Sequence, residues 1–195
     1  MNTRRKIDFI LASKSAKRKQ LLKKAGYKFD IIPSDIDENT LTHTNLTGEQ
    51  YTRTLALAKA KNVAARFPEA LVMAADTVAE TKGRIIGKPQ NAGHAKNIIK
   101  TLFSSPHNVI TTVALIKINT GTQIVRTETT TIYPKTITNE QIDSYIKTGR
   151  WKQKAGAYAI KQAGDEFIKK IQGSATNVSG LPMELTLKLL NELLP

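Results

Sequence analysis

Asp76 is the residue of this sequence best placed to do chemistry, because it follows Leu71-Val72-Met73-Ala74-Ala75, an uncharged run that reads as a buried strand ending in a carboxylate. Burying an acid is costly unless it is paired or bound to metal. Ligands in α/β proteins also gather at the carboxyl ends of strands. The competing use of such a residue is an Asx turn or a helix cap. Glu38 is a second acid, in Ser34-Asp35-Ile36-Asp37-Glu38, an acidic loop within a basic chain. It can give oxygen ligands to a hard cation or stand as an ordinary solvated loop residue.

Cations that suit a phosphate accompany these acids. Ser13-Lys14-Ser15-Ala16-Lys17-Arg18 lies where a strand gives way to a helix. Free backbone N–H groups and the helix dipole favour an anion there. Lys17 and Arg18 oppose that dipole, and a bound anion offsets them. Arg18 shares a helix face with Leu21, Leu22 and Ala25, which places it in a cleft or makes it a snorkelling arginine beside a plain Ser15 cap. Lys59 stands on the helical line Leu55, Lys59, Val63 among alanines, with the same two readings. Lys88 sits in Gly87-Lys88-Pro89, where proline stiffens the turn and fixes its direction. The glycines of a phosphate-binding P-loop are missing. The small-residue stretch Gly173 to Pro182 is a backbone anion nest, a wall of a base pocket, or a loop capping the last helix.

The elements that must position these residues alternate between strand and helix patterns, which predicts an α/β fold. Strands are expected over 7–12, 29–32 and 70–75, and helices over 15–25, 47–67 and 91–103. Thr47-Gly48-Glu49-Gln50 reads as a capping box. Thr81-Lys82-Gly83-Arg84 reads as a hairpin turn. A long hairpin is expected from 109–118 and 122–133 around Asn119-Thr120-Gly121, then a helix over 138–147. Short strands are expected over 157–160 and 167–171, and Pro182 opens an amphipathic terminal helix carrying Leu185, Leu189, Leu190 and Leu193.

Composition limits the chemistry. The 195 residues hold no cysteine, which removes disulfides and thiolate sites. His43, His94 and His107 are too scattered for a zinc motif. Any metal is therefore a hard cation held by carboxylate and phosphate oxygens. No apolar run is long enough to span a membrane, and Ile7 to Ala12, interrupted by Asp8, is too short for a signal segment. A cytoplasmic protein is expected. The net charge of +14 favours polyanions or reflects lysines on solvated faces.

In order and spacing these segments resemble the Maf family of nucleotide pyrophosphatases, from Ile10 to about Leu190. The likeness is carried by Leu11 to Arg18 with Leu21-Leu22, and by Ile32-Pro33-Ser34-Asp35-Ile36-Asp37-Glu38. It continues with Lys59-Ala60, Ala75-Asp76-Thr77 and Gly87-Lys88-Pro89. It ends with Lys154-Ala155-Gly156-Ala157-Tyr158, Gly173-Ser174 and Asn177 to Pro182. The resemblance implies one domain over 1–195, a mixed twisted sheet with flanking helices, and two lobes around a central cleft, as in the Maf and ITPase-like folds. It implies phosphate contacts at Ser13, Lys17 and Arg18, with Thr77 beside the catalytic aspartate. It implies acidic catalytic and metal positions at Glu38 and Asp76, catalytic or phosphate-binding lysines at Lys59 and Lys88, and Mg²⁺ or Mn²⁺ as cofactor. Homodimers are common in the family. Two departures stand out. Ala16-Lys17-Arg18 replaces the usual Pro-Arg-Arg, which keeps charge but loses one bidentate fork. Lys161, followed by Gln162, occupies the place where the branch acting on dTTP and UTP has glutamine, although Ala157-Tyr158 resembles that branch more than the one acting on 7-methyl-GTP.

The reaction implied is attack of water on the α-phosphorus of a nucleoside triphosphate, releasing a monophosphate and pyrophosphate. The rival is a basic protein that binds nucleic acid or regulates division without catalysis. Aromatic residues at 6% and the lack of a nucleic-acid motif count against the first form of it.

Overall fold

The computed structural model of the chain describes residues 7–40, 45–158 and 167–194. The basic start at 1–6, His43, Ile160, Lys161 and Gln162 lie outside the described residues. The elements follow in the order β1 (Phe9–Leu11), α1 (Ala16–Lys24), β2 (Phe29–Ile31), α2 (Gly48–Ala64), β3 (Val72–Thr81), β4 (Arg84–Ile86), α3 (Ala92–Phe103), β5 (His107–Lys117), β6 (Thr122–Pro134), α4 (Asn139–Lys147), β7 (Ile168–Gln172), α5 (Ala175–Val178) and α6 (Met183–Leu193).

Local chemistry sets several of these boundaries. Ser15 caps α1 by accepting from the Arg18 backbone N–H. Thr47 and Gln50 form the expected capping box on α2, and Thr138 and Gln141 form another on α4. Each satisfies backbone donors that the first helical turn leaves unpaired. Lys82 and Gly83 both have positive φ, 49° and 70°, which is the turn that matches the twist of a two-residue hairpin. Gly48 opens α2 where a Cβ would stand 2.7 Å from Ile110 Cδ1 and 2.8 Å from Glu80 Oε2. Its bare backbone instead donates to Glu80 at 2.8 Å, so α2 lies flush on the sheet.

The seven strands form one mixed sheet in the order β2-β1-β3-β5-β6-β7, with β4 also on β3. β1 is parallel to β2 and β3, and the remaining pairs are antiparallel. Side chains alternate along β3, as the strand period of two requires. Met73 and Ala75 face a core with Phe9, Leu11, Leu22, Leu115 and Leu190. Val72 and Ala74 face Ala56, Ala60 and Val63 of α2. Further along, Ala79 joins a separate core with Leu102, Phe103, Val109, Ile132, Trp151 and Tyr158. The same strand thus runs from one lobe into the other, and between them lies a polar waist. There the Thr77 and Thr111 hydroxyls pair at 2.9 Å, as do those of Thr52 and Thr112.

Two expectations need correction. β3 does not stop at Ala75, and Asp76 lies within the strand rather than at its end. The partner strand decides this: β5 stays in register from Val72 opposite Ile116 to Glu80 opposite Asn108, carrying the carboxylate along with it. The strand expected to begin at Ala157 is instead the end of a 3-10 turn over Ala155–Ala157. Gly156 has φ of 73°, and a Cβ there would meet Leu102 Cδ1 at 3.0 Å and Ala79 Cβ at 3.2 Å. The chain turns at that glycine to pass over the second core.

Candidate active site

One edge of β3 is paired with β5 from Val72 to Glu80, but the other is interrupted. β1 pairs with Val72 and Met73, and β4 pairs with Ala79, Glu80 and Thr81. Ala74 to Val78 have no strand on that side among the described residues, and the site gathers at this gap.

Asp76 projects from β3 toward α2, where Lys59 reaches it: Nζ to Oδ1 is 2.6 Å. Both residues are 7% exposed. The same ammonium lies 2.8 Å from Glu38 Oε1, brought in by a short 3-10 turn over Glu38–Thr40. Lys88 stands 3.8 Å from the other Glu38 oxygen and is largely exposed. Thr77, one residue beyond Asp76, faces the opposite side of the sheet. Its hydroxyl oxygen accepts from Arg18 Nη2 at 3.0 Å. Arg18 Nη1 donates to Ala75 C=O at 2.8 Å and Ser13 Oγ at 3.3 Å, and Nε donates to Gly180 C=O at 2.8 Å.

The two carboxylates share one ammonium yet are tuned in opposite directions. Burial holds Asp76 above the ordinary aspartate pKa, outweighing the attraction of Lys59 and Arg18, and Glu38 adds to the rise. Burial also opposes ionisation of Glu38, but there it is overruled by the Lys59 hydrogen bond and the charges of Lys59, Lys88 and Arg18, so Glu38 lies below its ordinary value. Paired carboxylates pushed apart in this way divide the roles of proton acceptor and standing anion. Burial pulls the pKa of Arg18 down against the pull of Asp76 and Glu38. As a guanidinium it stays protonated all the same.

The fold therefore gathers Ser13, Arg18, Glu38, Lys59, Asp76, Thr77 and Lys88. Lys17 is not among them: it is exposed, and its Nζ is bonded to Gln20 at 3.3 Å. Its helical position, one residue from Arg18, turns it by about 100° from the gap. Sequence reasoning missed the carbonyls of Ala75 and Gly180 and the hydroxyl of Thr111, since backbone oxygens and threonines carry no mark of function. It also missed Tyr51, two turns before Lys59 on α2, whose phenol is raised by burial and by the charges of Asp76 and Glu38. A hollow of about 280 Å³ lined by Gln141, Ser144, Tyr145 and Thr148 shares no residue with the site.

Among the described residues, no group of three or more His, Cys, Asp or Glu side chains comes together to hold a metal by itself. Glu38 Oε1 and Asp76 Oδ1 both meet the Lys59 ammonium, which leaves Glu38 Oε2 and Asp76 Oδ2 as the carboxylate oxygens that suit magnesium, a cation that takes one or two carboxylates and completes its shell from phosphate and water. No described helix is long and apolar enough to cross a membrane.

The family model for Maf-like protein matches residues 8–193. A dTTP/UTP pyrophosphatase of Elusimicrobium minutum (strain Pei191) is 40% identical over 183 residues, covering 94% of this chain and 97% of its own. A dTTP/UTP pyrophosphatase of Bdellovibrio bacteriovorus is 38% identical over 188 residues, with 94% and 97% covered. Among solved structures, that of the Staphylococcus aureus Ham1 protein covers 94% of this chain and 98% of its own at 13% identity and a TM-score of 0.48, too distant to carry a functional reading.

Proposed function

This chain belongs to the Maf-like protein family, and we propose on that basis that its β3 gap is the active site of a nucleoside triphosphate pyrophosphatase. It hydrolyses the α–β phosphoanhydride, giving a nucleoside monophosphate and pyrophosphate. The observation that carries the reading is Lys59 held between Glu38 and Asp76 at the open edge of the sheet. Pyrimidine triphosphates of the dTTP and UTP type are the favoured substrates, as for the relatives. The whole chain acts as one cytoplasmic domain.

In this reaction a water oxygen bonds to the α-phosphorus while the bridging P–O bond breaks. The electron pair leaves on pyrophosphate. Asp76 takes the water proton: it is rigidly placed within a strand, and burial makes it more basic than a solvated aspartate. Lys59 holds the two carboxylates in place and gives positive charge to the transition state. Lys88, exposed at the rim, meets the phosphate chain, and Lys17 contributes charge from outside the gap. Fixed cations in such a site favour the charge that grows on the leaving group. Glu38 and Asp76 would hold the divalent cation, Mg²⁺ or Mn²⁺, and it would supply charge neutralisation of the phosphates.

The test incubates the purified protein with dTTP, UTP, CTP, 7-methyl-GTP and ATP, with Mg²⁺ or Mn²⁺, and separates the products. Monophosphate and pyrophosphate, greatest with dTTP and UTP, are expected. Orthophosphate as the product, or no turnover of any triphosphate, removes the proposal.

A further inference from the structure

Along the edge of β3 that faces β1, every second carbonyl needs a donor. Leu71 C=O accepts from Ile10 N–H and Met73 C=O from Ala12 N–H, each at 2.8 Å. The third in the series, Ala75 C=O, lies beyond the last paired residue of β1. It accepts from Arg18 Nη1, again at 2.8 Å. The guanidinium occupies the place where the next backbone N–H of β1 would stand.

The rest of the guanidinium is equally committed. A guanidinium has five N–H donors. Four acceptors take them up: Gly180 C=O, Ser13 Oγ, Ala75 C=O and Thr77 Oγ1. A single N–H on Nη2 is left over, whereas a bidentate grip on phosphate needs two in parallel. The acceptors belong to three segments: the end of β1, the Asp76–Thr77 step of β3, and the turn after α5. That turn is held on its other side by Asn177, fully buried, whose amide donates to Val109 C=O, Glu128 C=O and Thr130 Oγ1. Gly173 lets it lie flush on β6, since a Cβ there would stand 2.9 Å from Thr130 Oγ1.

We propose that Arg18 is a positioning residue: its side chain extends the β1 hydrogen-bond ladder across the gap, holding Asp76 and Thr77 in strand geometry and tying the Gly180 turn to them. The inference rests on the hydrolytic reading above. It assigns Arg18 to the protein's own backbone, and leaves the phosphate chain to the lysines and the metal. A lysine in its place keeps the charge but has no planar fork to reach Gly180 and Ala75 together.

The experiment compares Arg18→Lys and Arg18→Gln with the parent protein in three measurements. These are kcat on dTTP, the Kd of a dTTP analogue with a methylene between the α- and β-phosphorus, and amide hydrogen exchange over 173–182. Both variants are expected to lose about 100-fold in kcat, lysine restoring almost none of it, because a small displacement of a catalytic group costs that much. The Kd is expected to move less than about threefold, since the phosphate contacts survive, while exchange in the turn rises about tenfold or more. A lysine variant with near-parental kcat, or a Kd weakened about tenfold with exchange unchanged, overturns the proposal, because a charge on phosphate then explains Arg18. If neither variant folds, the Arg18 Nε–H of the ¹⁵N-labelled parent decides. Slow exchange that the analogue leaves unchanged supports the clamp, and loss of protection on binding overturns it. A parent protein that hydrolyses no triphosphate defeats the functional reading instead, and the exchange comparison still decides the clamp.

Discussion

At the gap beside β3, Asp76 and Lys59 are buried together next to a half-buried Arg18, an acid and two cations drawn from three different elements. In the lobe beyond, at the start of β5, His107 and Tyr158 are enclosed as well, with Nε2 and the phenol oxygen 2.7 Å apart and Phe103 packed edge-on against the tyrosine ring. The first group keeps charges in a place where burial works against them. The second sets two side chains that are neutral at physiological pH against one another, with the Phe103 ring packed on both. A buried pair of neutral groups needs only its hydrogen bond. A buried cluster of charges needs a full set of partners and remains costly even so. The fold accepts that cost at one place along β3, the place where the sheet is open to a ligand.

The comparison can be broken most severely at Asp76. Asp76→Asn should lower turnover by about 100- to 10,000-fold, the usual worth of a general base. The fold should survive, because Lys59 keeps Glu38 as its ion partner and the amide oxygen can still accept from the ammonium. Pyrophosphate release and thermal denaturation, measured side by side, check both halves. Near-normal turnover removes Asp76 from the chemistry.

Lys59→Met tests the same cluster from its cationic side. It leaves Asp76 and Glu38 without their shared ammonium, and losing one partner of a buried ion pair costs about 3–5 kcal/mol. Urea denaturation should show that loss, with turnover falling too. A variant as stable as the parent means that the two carboxylates do not need Lys59.

Tyr158→Phe addresses the neutral pair. It strips His107 Nε2 of its partner and should cost about 1–3 kcal/mol, with kcat changed less than about twofold. A large fall in kcat would join this lobe to the chemistry and erase the contrast.

The smallest effect is one of pH. Burial holds the His107 pKa below its ordinary value, against the backbone hydrogen bonds at Ser105 and Leu102. The unfolded chain therefore takes up this proton first, near the ordinary imidazole pKa of about 6.5. Stability from the neutral ring is complete above that pH and is lost as pH falls through the folded-state value. Melting temperature should decline below about pH 6.5, with a shallower slope in His107→Gln. Equal slopes in the two proteins would place the acid sensitivity elsewhere.

Much of the scaffold was legible along the chain because its signals are local. The cap at Ser15, the boxes at Thr47 and Thr138 and the Lys82-Gly83 turn depend on residues a few positions apart, and each is found where those residues predict it. The family resemblance reached further and brought seven of eight expected site residues to one gap. It also assigned Lys17, which is exposed and bonded to Gln20. What misled the local reading was the partner of each segment. Asp76 looks like a strand end because it is charged, and β5 makes it a strand interior. Ala157 looks like a strand start because it is followed by tyrosine, and the contact of Gly156 with Leu102 and Ala79 makes it a turn.

The sequence by itself determined the order of the elements, the absence of thiol chemistry, and a set of acids and cations suited to phosphate. Only the tertiary structure decided that Lys59 joins Glu38 to Asp76, that Arg18 faces protein carbonyls, and that the sheet is open between Met73 and Ala79. The physical reason is one of distance along the chain. Caps and turns are closed by neighbours, whereas a buried charge is stable only beside partners from remote segments, and nothing local in the sequence states which segments those are.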